Sequence, residues 1–441
     1  MNTPANHIYR RLSRGIATAA ELRLVAGGIS AATLSRTLRR MADEVIKIGR
    51  GRATRYARRG GEDMPVYRID EAGEVQRLGQ LAAVAGGGYV MQQAQGNVYS
   101  DGLPWWLNDM RPQGYLGRAW VQQHGDALDL PPRLADWQDG HILRALMQAG
   151  DDLSGNLLLG DAMRQRYQAT FAQPPIPHAE RAAAYAALAA RAASGDVPGS
   201  SAAGEQPKFT AYAETDAGAR HVIVKFSELP DSAVSERWRD LLLAEHLALQ
   251  TLAAAGIAVA QTAILDHGGQ RFLEVQRFDR IGARGRLGLF SLTTLDAAFA
   301  GQAPAGWPVI TRRLAREQRI SGEAADAAAR LWAFGELTGN SDMHKGNLSF
   351  LGTHRPYGIA PAYNMTPMAF APKRGGGLRD TLPPLQPRPG NVAPAIRREM
   401  LPLARNYLSR LAAEPRFSPR FRPCIAALAQ HIETAARLFA D

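Results

Sequence analysis

Between Gly195 and Met368 four features follow one another in an order that few scaffolds can use. A breaker-rich loop, "GDVPGSSAAGEQPKF", runs straight into two strand-like segments, "KFTAYAE" and "RHVIVKFS". Alternation in the second sets Val222 and Val224 on one face, Ile223 and Lys225 on the other. A long helical stretch follows, "SERWRDLLLAEHLALQTLAAAGI", in which Leu241, Ala244, Ala248 and Leu252 suit one buried face and Glu245 lies among them. A carboxylate near a buried face needs a partner, and Lys225 is the obvious one; a partly exposed Glu245 fits the periodicity equally well. The helix "EAADAAARLWAFGELTGN" then delivers the chain to "GNSDMHKGNLSF", and "APAYNMTPM" follows.

Asp342 and Asn347 have the D-x-x-x-x-N spacing of a phosphoryl-transfer catalytic loop. In such a loop the aspartate orients the acceptor hydroxyl and takes its proton, and the asparagine holds Mg2+. Small residues let the backbone N–H groups of the preceding loop approach phosphate oxygens, and Lys225 becomes the cation for the α- and β-phosphates. Each signal alone is weak. Their joint order predicts a kinase-type site using ATP and Mg2+. A transition-metal site on Asp342 and His344 is the competing reading, and it lacks further clustered ligands.

The net charge of +11 is unevenly placed: residues 1–60 hold thirteen Arg and Lys against Glu21, Asp43 and Glu44. Within them three short helices are predicted, around "IYRRLSRG", from Thr18 and from Ser30, with Gly27 and Gly28 turning between the last two. The pattern is that of a helix-turn-helix, making Thr33, Ser35, Arg36, Arg39 and Arg40 candidate groove or phosphate contacts on duplex DNA. "VIKIGRGRATRYARRG" reads as a basic hairpin, a wing carrying Arg50, Arg52 and Arg55. A solvated three-helix bundle with a positive surface is the plainer alternative. "VYRID", "EAGE" and the segment after them predict a second hairpin, so a new domain is expected near Asp63. "LPWWLNDMRPQGYLGR" reads as a packed loop.

No apolar run approaches ~18 residues, so no membrane span is expected. The N-terminal stretch has no apolar signal core, and the single Cys424 rules out an internal disulfide framework. A cytoplasmic protein is the expectation.

The motifs together resemble the HipA-like Ser/Thr kinases of bacterial toxin–antitoxin systems. "GNSDMHKGNLSF" is similar to their catalytic motif N-G-D-x-H-x-K-N, "RFLEVQRFDR" to their hinge, and "SSAAGEQPKF" to their mobile loop S-x-A-G-A-Q-x-K. "AEHLALQTLAAAGIAVA" is similar to a further family helix, and the likeness covers roughly residues 64–441. With the winged helix-turn-helix already read from the residues at 1–62, the resemblance implies an α+β architecture that continues as a mixed α/β lobe at 63–278 and a mainly helical lobe at 279–441. It implies that Asp342 is the catalytic base and Asn347 a Mg2+ ligand. Lys225, Glu245, Gly204, His344, Gln276 and Phe278 would serve the nucleotide, the last two at the hinge. Ser201, with Ser200 as close competitor, would be the autophosphorylated loop serine. An antitoxin is an implied partner; the protein substrate is not readable.

Three departures stand out. The family's motif lysine is Gly346 here, with Lys345 one place earlier; the hinge glutamate is Gln276; and the metal-binding aspartate is Asn364. The last removes a full charge from a site meant for Mg2+ and triphosphate, so impaired transfer is expected. Two other functions compete: a DNA-binding regulator whose kinase-like part only senses nucleotide, and a nuclease toxin.

Overall fold

The computed structural model describes residues 3–169, 174–194, 206–302, 304–373, 377–378, 380–382 and 392–439. The chain divides into two compact units, Met1–Arg111 with Ala135–Thr170, and Pro112–Leu134 with Phe171–Asp441.

In the first unit, α1 (Pro4–Leu12) begins after Thr3, whose hydroxyl accepts the Asn6 N–H. After β1 (Ala17–Thr18), α2 (Ala19–Val25) opens with a reciprocal capping box between Thr18 and Glu21, and α3 (Ala31–Arg40) with Ser30 as cap. Gly27 and Gly28 between them take φ of 87° and 73°, a conformation a side chain would strain. Leu34 and Leu38 pack inward with Ile8, Leu12 and Leu22, leaving Ser35, Arg36, Arg39 and Arg40 exposed and Thr33 half-buried.

β2 (Val45–Ile48), β3 (Arg55–Ile69), β4 (Val75–Val84), β5 (Tyr89–Gln93) and β6 (Gly96–Ser100) follow. Arg50, Arg52 and Arg55 are exposed at the turn joining β2 to β3. β3 belongs to both halves of this unit. Its first residues pair with β1 and β2, and from Arg59 onward it pairs with β4. It therefore runs unbroken through residues 62 and 63. Gly60 sits at the register shift, where a Cβ would lie 2.8 Å from the Ala85 nitrogen. Ile46, Ile48 and Ala57 share one buried cluster with Ala82, Val84 and Val90, and the Asn97 amide donates to the Lys47 carbonyl at 2.8 Å. The basic hairpin and the sheet after it thus have a common core.

The chain next forms a 3-10 turn at Trp105–Met110 and α4 (Gly114–His124), the latter in the second unit, then α5 (Asp139–Ala149), β7 (Leu157–Leu159) and α6 (Asp161–Ala169) in the first. The expected packed loop is thus half helix.

The second unit is built on a four-stranded antiparallel sheet. α7 (Arg181–Ser194), β8 (Lys208–Thr215), β9 (Gly218–Phe226), α8 (Ala233–Ala254), β10 (Thr262–His267) and β11 (Gln270–Gln276) give the strand order β10-β11-β9-β8. One face packs on α7 through Phe209, Val222, Val224 and Phe272 against Tyr185 and Ala189. Glu274 is buried on this face and is met by Arg181 Nη1 at 3.1 and 3.0 Å and by the Tyr185 hydroxyl at 2.6 Å. The opposite face packs Leu273 and Val275 against Leu242 of α8.

Two short strands, β12 (Arg280–Ile281) and β13 (Gly285–Arg286), lead to β14 (Leu289–Ser291), α9 (Leu292–Leu295), a π-turn at Asp296–Ala300, α10 (Trp307–Arg316) and α11 (Gly322–Leu337). β15 (Ser349–Leu351) and β16 (Gly358–Ile359) complete a small sheet with β14, and α12 (Pro394–Ala413) and α13 (Arg422–Leu438) close the chain. α8 is held on this side too: the Tyr407 hydroxyl of α12 donates to the Ala244 carbonyl, and Ser418 donates twice to Asp240. Among the described residues no helix is long and apolar enough to cross a membrane.

Candidate active site

Lys225 projects from β9, an inner strand, toward α8, because the alternation that buries Val222 and Val224 against α7 turns it the other way. There its ammonium meets both oxygens of Glu245, at 2.6 and 2.7 Å, and Glu245 is only 1% exposed. The negative charge is felt nearby: burial first, then Glu245, raises the pKa of the Tyr407 phenol. The third N–H of Lys225 goes to Asn364 Oδ1 at 2.6 Å.

From Asn364 the hydrogen bonds continue to the D-x-x-x-x-N loop. Asn364 Nδ2 donates to Asn347 Oδ1 at 2.9 Å, and Asn347 Nδ2 donates to the Asp342 carbonyl at 2.7 Å. These amide orientations follow from chemistry, since lysine has only donors and a carbonyl only lone pairs. Asn364 holds φ of 53°, a left-handed conformation that Asn and Asp tolerate better than other side chains. The carboxylate of Asp342 itself is 53% exposed, open to an incoming hydroxyl.

Two residues that sequence reasoning missed hold this arrangement. Asn340 accepts the Asp342 N–H at 3.1 Å and donates to the Asn364 carbonyl at 3.1 Å, so one buried side chain fixes both loops. Thr366 donates to Glu245 Oε2 at 2.7 Å. Asn340 lies inside the catalytic-loop motif, where its position is a usable signal; a threonine on an irregular segment carries no periodic one.

His344 caps the 3-10 turn at Lys345–Asn347, its Nδ1 accepting the Gly346 N–H, with Nε2 3.9 Å from Asp342. Lys345 is committed elsewhere, to the buried Asp296 at 2.6 Å. A side chain on Gly346 would place its Cβ 2.9 Å from the His344 ring. Gln276 ends β11, two residues before Phe278. Its N–H goes to the Gln261 carbonyl and that of Arg277 to the His221 carbonyl. Phe278 packs beside Tyr363, ring centroids 5.4 Å apart. Ser200, Ser201 and Gly204 lie outside the described residues.

The implied Mg2+ is not matched by these donors. Magnesium favours carboxylate and phosphate oxygens in an octahedral set, whereas Asn347 and Asn364 offer neutral amides, and the oxygens of both are already hydrogen-bonded. Among the described residues no three His, Cys, Asp or Glu side chains gather as metal ligands.

Comparison with known proteins bears on the family and the fold. Residues 60–168 match the family model described as YjjJ-like toxin, middle domain, and residues 200–413 match the HipA-like C-terminal domain. The fold is similar to HipA in a Shewanella oneidensis MR-1 complex of HipA, HipB and operator DNA, with TM-score 0.52 and 14% identity over 85% of this chain and 97% of that one. The Helicobacter pylori proinflammatory kinase CtkA, with TM-score 0.37 and 14% identity over 53% of this chain and 94% of its own, is too loose a match to bear on the fold. Toxin YjjJ of Escherichia coli (strain K12) is 40% identical over 401 residues, covering 89% of this chain and 90% of its own. With that identity across nearly the full length of both, the chain belongs to the HipA-like toxin family.

Proposed function

We propose that the chain is an ATP-dependent serine/threonine protein kinase of toxin type, slowed by Asn364, with a DNA-binding module on the same polypeptide. What carries the reading is the unbroken line of hydrogen bonds from Glu245 through Lys225, Asn364 and Asn347 to Asp342. Four separate elements bring a strand lysine, a helical carboxylate and a half-exposed aspartate to one place. In this reading Lys225 holds the nucleotide phosphates, Glu245 fixes Lys225, and Asp342 receives the proton of the acceptor hydroxyl. The test is transfer of label from γ-labelled ATP to protein serine or threonine, lost on Asp342→Ala.

The loop serine belongs to the same reading. A phosphate on Ser201 would add about 1.5 to 2 negative charges and, if drawn toward basic groups such as Lys208, would hold the loop away from the nucleotide. Mass spectrometry on an Asn364→Asp chain incubated with Mg-ATP is expected to find phosphate on Ser201, or on its neighbour Ser200. Neither serine modified while another substrate is phosphorylated would overturn the switch.

Residues 1–60 are proposed to bind duplex DNA as a winged helix-turn-helix. The support is the exposed arginines of α3 and of the β2–β3 turn, within a segment whose net charge is +10. HipA in the Shewanella structure is itself assembled with HipB and operator DNA, which supports an antitoxin partner here as well. Deleting residues 1–60 would cut into β3 and open the shared core, so substitution is the cleaner test. Replacing Arg36, Arg39, Arg40, Arg50 and Arg52 by glutamine should lower DNA affinity and flatten its salt dependence by about 0.9 in log–log slope for each phosphate no longer neutralised. Unchanged affinity and slope, with unchanged melting, would contradict the interface.

A further inference from the structure

Taking the nucleotide-site reading as its base, we infer that Asn364 is a positioning residue standing in for the cation: it closes the site on itself with hydrogen bonds, and phosphates must compete with it for Lys225. The balance of donors and acceptors makes the case. An ammonium has three N–H groups, and all three of Lys225 are engaged, two by Glu245 and one by Asn364. Asn347 Oδ1, the oxygen a cation would need, is taken by Asn364 Nδ2. Asn347 cannot turn its amide over without losing the Asp342 carbonyl, which only a donor can satisfy. The Asn364 carbonyl is held by Asn340, and Glu245 is held from the same loop by Thr366. The amides and charges of the network satisfy one another directly.

An aspartate at 364 would undo this arrangement. It keeps the left-handed backbone and still accepts from Lys225, but it presents a second acceptor to Asn347 Oδ1 across the present 2.9 Å. Two facing acceptors repel unless a cation lies between them. The amide therefore trades cation affinity for a site that is stable without one.

The experiment is thermal melting of the full chain in EDTA and in MgCl2, with no nucleotide, for the parent, Asn364→Asp and Asn364→Gly. The parent should melt highest in EDTA and be indifferent to Mg2+. Asn364→Asp should melt lower in EDTA and rise by roughly 5 °C when Mg2+ reaches about 100 times its Kd. Asn364→Gly keeps the backbone conformation without the amide, so it should melt lower and stay low in Mg2+. If Asn364→Asp does not fold, the parent and the glycine variant alone decide the matter. A Mg2+-dependent rise in the parent, or no loss of melting temperature in EDTA for either variant, overturns the inference. No arm reads phosphoryl transfer: an Asn364→Asp chain that gains Mg2+ yet transfers nothing removes the kinase reading and leaves the clasp standing.

Discussion

An Asn364→Asp chain is expected to transfer the γ-phosphoryl of Mg-ATP on the order of a hundred to a thousand times faster than the chain with Asn364. The reason is electrostatic. The carboxylate supplies the charge the amide lacks, at a position already aimed at Lys225 and Asn347, and it removes the N–H that occupies Asn347 Oδ1. Shape is kept, since Asp and Asn differ little in size and both tolerate φ of 53°. Adding Asp342→Ala in that background should return transfer to the baseline, because nothing else within the loop offers a carboxylate to the acceptor hydroxyl. Single-turnover assays with labelled ATP measure both ratios. Fast transfer with Asn364 in place would show that charge at this position is not limiting.

The second large effect is on stability. Among the described residues, Lys225→Met leaves the Glu245 carboxylate, 1% exposed, with only the Thr366 hydroxyl, and Asn364 Oδ1 with no donor. Breaking a buried pair from one side costs about 3–5 kcal/mol, far more than the pair contributes relative to an apolar replacement. The double variant Lys225→Met/Glu245→Gln should therefore be markedly more stable than Lys225→Met alone. Denaturant unfolding of the full chain checks this, and equal losses in the single and double variants would contradict the buried pairing.

How much of this was legible depends on whether a residue's neighbours announce its role. Thr18 and Ser30 sit just before apolar periodicity and cap their helices as expected. The face pattern of "VIVKF" put Lys225 opposite the valines, and that is the face it shares with Glu245. α4 was missed because Gly114 and Gly117 weaken its helical pattern; Gly117 is there for packing, since a Cβ would lie 2.6 Å from the Pro112 carbonyl carbon. Gly60 and Gly61, beside the expected boundary at 62 and 63, sit at a register shift inside β3, and the core shared across it depends on strand pairings no local pattern encodes. Lys345 looked like a displaced motif lysine; its commitment to Asp296 reaches across 49 residues. Thr366 acts through a single hydrogen bond from irregular backbone, where neither period nor composition speaks, whereas Asn340, which ties two loops with two hydrogen bonds, is marked by its place in the catalytic-loop motif.

The central claim is that the network around Lys225 is a nucleotide site. Equilibrium binding of ATP to the full chain and to Lys225→Met/Glu245→Gln addresses it most directly, because the double variant leaves no unpaired buried charge to unfold the protein. The account predicts that the parent binds ATP and that the double variant, equally folded, binds at least about tenfold more weakly, a loss of about 1.4 kcal/mol or more. Equal binding by both, or none by the parent, would contradict it.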